Sequence, residues 1–356
     1  MVIVFIDPKC PAPYDSEVLR TKALGGTEAT VVRVAEGLSR QHTVRVLQHN
    51  RQETREENPQ LHFLPISELQ QAVQGADHVI FIQKGQHIEV AARSGARLWL
   101  WLHNYLKDEV HFFWQDHLRY KLGIVCVSRA HAEHTRSHLR SLPGYWASLG
   151  LMGRGGVLYH HNPIDSNLRP DPRTRRDRHK LVFFSSPYKG LEQVIPLFIE
   201  AHARDQRLKL FVADPGYLKN KEPGLLDAPG IVRLGALPQQ VALQHVREAL
   251  CVFYPQRKRP ETFGLVFAEA NAVGTPVLAH RFGSAQEVLS KSNPPLDASQ
   301  PGTVVETLLD WVEHGGPKVQ ANPLFACDHV VNEWNRFLAA PAAFTRQQAL
   351  APAHTA

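Results

Sequence analysis

Apolar residues in this chain gather in short runs separated by longer stretches of mixed polarity. Residues 2–6, 43–47, 78–82, 98–102 and 124–127 are such runs and read as buried strands. Between them apolar positions recur at helical spacing, as in Val31, Val34, Ala35 and Leu38. The alternation restarts at 181–184, followed by a helix whose apolar face is Leu191, Val194, Ile195 and Phe198. Strands follow at 208–213, from Ile231, at 251–254 and at 277–279, with a helix after Pro238. Strands that alternate with helices predict parallel sheets and an α/β fold. Helices are expected at 304–312 and 330–338, and Ala339 to Ala356 reads as a frayed Ala/Pro-rich tail.

One stretch breaks the pattern. Asn167 to Lys180 is rich in Pro, Arg and Asp and almost devoid of apolar residues, which is a linker composition. It divides the chain into an N-terminal domain, 1–165, a linker, 166–180, and a C-terminal domain, 181–325. A terminal helix within 326–340 and a flexible tail, 341–356, complete the expected layout. The length of 356 residues suits two domains. Two domains meeting at a hinge would set a site in the cleft between them.

Composition narrows the function classes. Cys10, Cys126, Cys251 and Cys327 are far apart, with no C-x-x-C pair, so the expectation is reduced thiols in a cytoplasmic protein. The apolar start at Val2 has no basic segment before it and Asp7 just after it, and reads as a first strand rather than a signal peptide. No apolar run is long enough to span a bilayer. The formal charge of +6 fits local anion binding. Apart from 173–178 the arginines are dispersed and no nucleic-acid motif accompanies them, so nucleic acid is not an expected partner.

The chemistry concentrates in Arg259 to Val277. Glu261 and Glu269 stand there with seven residues between them. Leu265, Ala268, Ala272 and Val273 share a helical face, and Gly274 and Pro276 end the helix. Glu269 falls on or beside that face, where a carboxylate needs a partner. Either a core arginine neutralises it or it is aimed at ligand hydroxyls. Glu261 lies in the loop that follows a strand ending at Tyr254, the place where open α/β sheets bind ligands. The first-turn amides of Phe263, Gly264 and Leu265 are donors for an anion. Two further strand-to-helix turns have similar character. Gly25-Gly26 permits close approach of a ligand to the backbone, and Lys189, before Gly190, can neutralise a phosphate. His103 and Asn104 follow strand 98–102 at its carboxyl end. Ser128 is positioned to cap a helix carrying His131, His134 and His138, a stripe that reads as a solvated face rather than a metal site.

Glu261, Phe263-Gly264-Leu265, Glu269-Ala270, Gly274-Thr275-Pro276-Val277 and Glu287 resemble the E-x7-E signature of retaining glycosyltransferases with the GT-B fold, specifically family 4. The resemblance is strongest from Leu181 to Leu289. It implies two Rossmann-like doubly wound domains facing across a cleft. It also implies that Glu269 holds the ribose of a sugar nucleotide and Glu261 contacts the transferred sugar. Thr262, Phe263, Gly264 and Leu265 would meet the diphosphate, as would Gly25, Gly26 and Lys189. Gly235 and Leu237 would line the base, and His103 would contact the donor sugar. Four positions depart from the family pattern: Asn104 for Asp, Pro163 for Gly, Ser284 for Gly, and Phe184 or Ser185 where an arginine usually precedes Lys189. Arg257, Lys258 and Arg259 are candidates to replace that arginine's charge.

The expected activity is metal-independent, retaining transfer of a sugar from UDP- or GDP-sugar to a hydroxyl. The expected acceptor is a glycan, a lipid-linked acceptor or another glycoconjugate of the bacterial envelope. No cofactor is expected, and a lipid-linked acceptor would bring peripheral contact with the inner face of the membrane. The alternative is a catalytically silent protein of the same fold that binds sugar nucleotides.

Overall fold

The computed structural model describes residues 1–106, 119–141, 156–214 and 225–350. The chain forms two compact units. The first comprises Met1–Ser16, Thr27–Pro163 and Cys327–Ala356, and the second Glu17–Gly26 and Ile164–Ala326. The Gly25-Gly26 turn, expected in the N-terminal domain, thus groups with the second unit.

The first unit holds an eight-stranded sheet: β1 (Val2–Asp7), β2 (Thr43–Gln48), β3 (Arg55–Asn58), β4 (Leu61–Pro65), β5 (His78–Ile82), β6 (Arg97–Trp101), β7 (Gly123–Cys126) and β8 (Val157–Tyr159). Its order is β3-β4-β2-β1-β5-β6-β7-β8. Every pairing is parallel except β3 with β4. β1 and β5 are buried along almost their whole length because helices cover both faces of a parallel sheet, which is why they read as unbroken apolar runs. β3 and β4 lie at the edge and escaped the sequence reading. β3 is Arg-Glu-Glu-Asn, half of it exposed, with no apolar signal. Helices α1 (Gly26–Ser39) and α2 (Arg129–Ser141) follow β1 and β7.

The second unit holds β9 (Asp177–Phe184), β10 (Lys209–Asp214), β11 (Ile231–Ala236), β12 (Ala249–Tyr254) and β13 (Val277–Ala279), with helices α3 (Leu191–Arg204), α4 (Gln239–Glu248) and α5 (Leu265–Ala272). The strand order β11-β10-β9-β12-β13 is parallel throughout. Counted from β9 this is 3-2-1-4-5, a Rossmann-like order whose direction reverses between β9 and β12. Four residues assigned to the linker, 177–180, belong to β9. Lys180 is buried there because its ammonium pairs with Glu248 at 2.6 Å and lies 4.7 Å from the Phe211 ring centroid. Composition alone hides such a paired charge.

The chain closes in the first unit with α6 (Cys327–Ala339) and α7 (Pro341–Leu350). Residues 341–350 are therefore helical rather than a frayed tail, and 351–356 lie outside the described residues. Phe344 anchors α7 against Phe337 and His160, and the Gln348 side chain bonds the backbone of Tyr159 in both directions. In α1, Gly37 faces Val331 of α6 so closely that an added Cβ would collide with the valine side chain. Gly37→Ala is therefore expected to cost about 1–3 kcal/mol of stability through overpacking, despite alanine's better helix propensity. Thermal unfolding measures it. The cost should largely vanish in a Val331→Ala background, and an equal cost in both backgrounds would refute this contact.

Candidate functional site

The reversal between β9 and β12 places the carboxyl ends of those two strands side by side. In an open α/β sheet that is where a crevice forms. The turn after β9 carries Ser185, Ser186, Pro187, Tyr188, Lys189 and Gly190, and the loop after β12 carries Pro255 to Gly264. Gly190 adopts φ 97°, and a Cβ there would meet Gln256 at 2.7 Å. The glycine lets the two loops touch. Gln256 is fully buried and organises its own loop: it accepts from the amides of Lys258 and Arg259 and donates to the Arg259 carbonyl at 2.7 Å.

This packing brings Lys189 and Glu261 together across 72 residues of chain. The Lys189 ammonium lies 2.9 and 2.8 Å from the two Glu261 carboxylate oxygens. Tyr254, the last residue of β12, donates its phenol hydroxyl to Glu261 Oε1 at 2.7 Å. Burial, and then the Glu261 charge, push the Tyr254 phenol well above its ordinary value, so it remains a donor. Glu261 is only 6% exposed, and these donors offset the cost of burying its charge. Its backbone is pinned too. The amide and hydroxyl of Ser284 lie 3.1 and 3.0 Å from the Glu261 carbonyl, and the same hydroxyl is 2.7 Å from the Phe263 carbonyl. Ser284 in place of glycine thus ties the turn to the Glu261 loop. Gly283 beside it has φ 58°, and a Cβ would meet the Glu261 carbonyl at 2.6 Å.

Gly264 starts α5 in the left-handed region, φ 79°. Its carbonyl is the first acceptor of the helix ladder, from Phe267 and Ala268, so the amides of Leu265 and Val266 precede the ladder. Gly26 packs against this end of α5, and a Cβ there would lie 3.1 Å from Leu265 Cδ1. Glycine keeps the approach open. Glu269 is 4% exposed, and Gln239, the first residue of α4, donates to its Oε1. This amide is a partner that neither alternative for this carboxylate, a core arginine or ligand hydroxyls, includes. The expected single apolar face of this helix is corrected: every residue from Phe267 to Ala272 is buried, while Leu265 is half-buried. Gly235, φ 67°, is the penultimate residue of β11, at a register shift, and Leu237 lies two residues before Gln239. Thr262 and Phe263 lie between Glu261 and the start of α5, with Phe263 buried against Phe325 at 5.1 Å.

His103 belongs to the first unit, just past β6. It is buried, its ring 4.6 Å from that of Trp101, and burial lowers it to about 3, so it is a neutral imidazole. With the Gln83 amide oriented to suit its neighbours, its oxygen accepts from the backbone amides of His103 and Asn104 at 2.9 Å. Ser128 caps α2 through the His131 amide at 3.0 Å. The solvated stripe expected on α2 is corrected at His131, which is fully buried: its Nε2 donates to the Asn104 carbonyl at 3.2 Å. His134 remains exposed.

Residues 172–311 match the family model described as Glycosyl transferases group 1. The matched stretch lies within the second unit. No curated protein sequence matches the chain. Among solved structures, AviGT4, a glycosyltransferase involved in Avilamycin A biosynthesis, is similar with a TM-score of 0.64 at 16% identity, over 96% of this chain and 98% of its own. Sucrose-phosphate synthase from Thermosynechococcus elongatus gives 0.59 at 16% identity, over 99% and 100%. The pneumococcal O-GlcNAc transferase GtfA, solved in complex with UDP and GlcNAc, gives 0.55 at 13% identity, over 78% and 60%. The fold is GT-B, with two Rossmann-like domains.

Within the second unit, Lys189, Glu261, Gly26 and the start of α5 lie together. The charges proposed to replace the missing arginine are partly engaged elsewhere. Lys258 pairs with Glu192 at 2.7 Å, and the Arg259 guanidinium sits 5.2 Å from the Tyr188 ring centroid. Ser185 occupies the position near the absent arginine and lies 3.5 Å from the Tyr254 hydroxyl. Sequence reasoning passed over Tyr254, Gln239 and Gln256. Tyr254 carried a usable signal, a polar-tipped aromatic at the carboxyl end of an otherwise apolar strand.

Proposed function

We propose that the chain is a metal-independent, retaining glycosyltransferase that moves a sugar from UDP- or GDP-sugar to a hydroxyl of a glycan, lipid-linked or other glycoconjugate acceptor. The observation that carries this reading is the convergence at the sheet's reversal point of a lysine, a buried carboxylate and the amide end of α5, with Glu269 one helical turn further along. Cleaving a glycosyl–diphosphate bond builds positive charge on the sugar and negative charge on the leaving phosphate. Lys189 and the α5 amides suit the phosphate side, where preorganised donors lower the barrier. Glu261 orients the sugar, and Glu269, steadied by Gln239, takes the ribose hydroxyls. The acceptor oxygen bonds to the anomeric carbon on the face the phosphate leaves, and the acceptor's proton passes to that phosphate. Protein charge answers the diphosphate, so the reading calls for no metal. Among the described residues no helix is long and apolar enough to cross a membrane. The proposed place of work is the cytoplasm, with peripheral contact where the acceptor is lipid-linked.

Phe184 or Ser185 in place of an arginine favours a second reading, a silent protein that binds sugar nucleotides without transfer. Calorimetric titration with UDP, GDP and ADP, then a donor-hydrolysis assay, separates the two. One nucleotide is expected to bind, and Glu269→Ala is expected to weaken it about 10- to 100-fold, the value of hydrogen bonds to a charged group. Binding without hydrolysis or transfer would favour the silent protein. Binding of none of the three would overturn both.

A further inference from the structure

Two partners of the Glu261 carboxylate, Lys189 and Tyr254, differ in mobility. Lys189 reaches it at nearly equal distances to both oxygens, from a flexible stem whose side chain is 30% exposed. A diphosphate at the start of α5 would compete with Glu261 for that ammonium. Tyr254 cannot move in the same way. It is 1% exposed, its ring stacked on Phe183 of β9 at 5.4 Å and 23° and met edge-on by Phe267 of α5 at 5.6 Å and 79°. Its hydroxyl is therefore fixed by the two elements that frame the site. The 2.7 Å contact to Oε1 is near the length of a charge-assisted O–H···O⁻ bond. A terminal carboxylate torsion is otherwise soft, so this bond sets which way the carboxylate plane faces.

We propose that Tyr254 is a positioning residue for the donor sugar: its hydroxyl holds the Glu261 carboxylate oriented when a diphosphate draws on Lys189. The proposal rests on the donor-site reading of Glu261 and Lys189. It assigns Tyr254 an effect on the sugar half of the donor and none on the nucleotide half, because ribose recognition falls to Glu269, one turn into α5, and to Gln239 of α4. Ser185, 3.5 Å from the phenol oxygen, places a small hydroxyl beside that phenol.

The test is Tyr254→Phe in the full chain, which keeps the ring and removes only the hydroxyl. Calorimetry compares UDP with UDP-glucose, GDP with GDP-mannose and ADP with ADP-glucose, and donor hydrolysis is followed with the conjugate that binds. The variant should bind the bare nucleotide within about twofold of wild type. It should lose most of the affinity the sugar adds, and the hydrolysis kcat should fall about 10- to 100-fold. Wild-type values for both the sugar increment and kcat would overturn the proposal while leaving the donor-site reading intact. Equal weakening of nucleotide and conjugate would overturn it as well, since that marks general loosening. If wild type binds no nucleotide, the donor-site reading fails and this proposal fails with it. Should Tyr254→Phe not fold, Phe183→Leu, which loosens the ring and keeps the hydroxyl, is judged by the same two readouts.

Discussion

Acidification from pH 7 to pH 5 is expected to unfold the first unit, with loss of its native tryptophan emission and near-ultraviolet dichroism. Four histidines in that unit, His78, His103, His131 and His160, are held by burial at about 4, 3, 4 and 3, against an ordinary 6.5. The folded unit keeps them neutral, whereas the unfolded chain takes up protons once the pH falls below about 6.5. Their contribution is therefore complete above that pH, declines as the pH falls, and is fully lost below about 3–4. Each costs roughly 1.4 kcal/mol per pH unit in that window. At pH 5 the four together cost roughly 8 kcal/mol, comparable with the whole stability of an ordinary domain, about 5–15 kcal/mol.

The contacts explain why relaxation is difficult. His78 accepts from Trp99 Nε1 at 3.1 Å and donates to the Leu338 carbonyl at 3.0 Å, so a second ring proton would face a donor. His160 stacks on Trp334 at 4.5 Å and lies against Phe337 and Phe344, where a cation finds little solvation. Trp99, Trp101 and Trp334 touch these histidines, so intrinsic fluorescence reads the transition directly. Native emission persisting to pH 4.5 would show that the histidines titrate without cost and would sink the prediction.

Lys189→Ala is expected to slow donor hydrolysis by about 10²- to 10³-fold, the usual loss when one preorganised donor to a developing anion is removed. It should weaken UDP or GDP far more than the corresponding nucleoside, because the lysine addresses phosphate and not base or ribose. Paired calorimetric titrations of nucleotide and nucleoside measure this. The variant also removes the Lys189 ammonium from the buried Glu261, though Tyr254 and the Ser284 backbone clamp remain. A lower melting temperature should therefore accompany the kinetic loss. Equal affinity loss for nucleotide and nucleoside would mean that Lys189 supports the fold of the loop and does not meet the phosphates.

Much of the central sheets could be read directly from the chain. β1, β5, β12 and β13 are apolar nearly throughout, because a parallel strand covered on both faces has no reason to carry polar residues. The edges could not be read this way. β3 exposes half its residues, and β9 begins four polar residues before its apolar run. The tail misled for a related reason: α7 owes its helix to Phe344 and Gln348 contacts made with residues nearly two hundred positions away.

The candidate site divides along the same line. Glu261, Gly264 and Glu269 declared themselves because motif spacing is local, set by one loop and one short helix. The order 3-2-1-4-5 that puts β9 beside β12 is not local, and it alone brings Lys189 to Glu261. Tyr254 and Gln239 became visible only as partners of those carboxylates, since nothing in a lone tyrosine or glutamine announces the atom it will face. By itself the sequence determined which residues carry charge, which runs must be buried and where the chain can turn left-handed. Tertiary structure decided which charges meet and how each buried carboxylate is satisfied, because hydrogen bonds depend on position in space and not on distance along the chain.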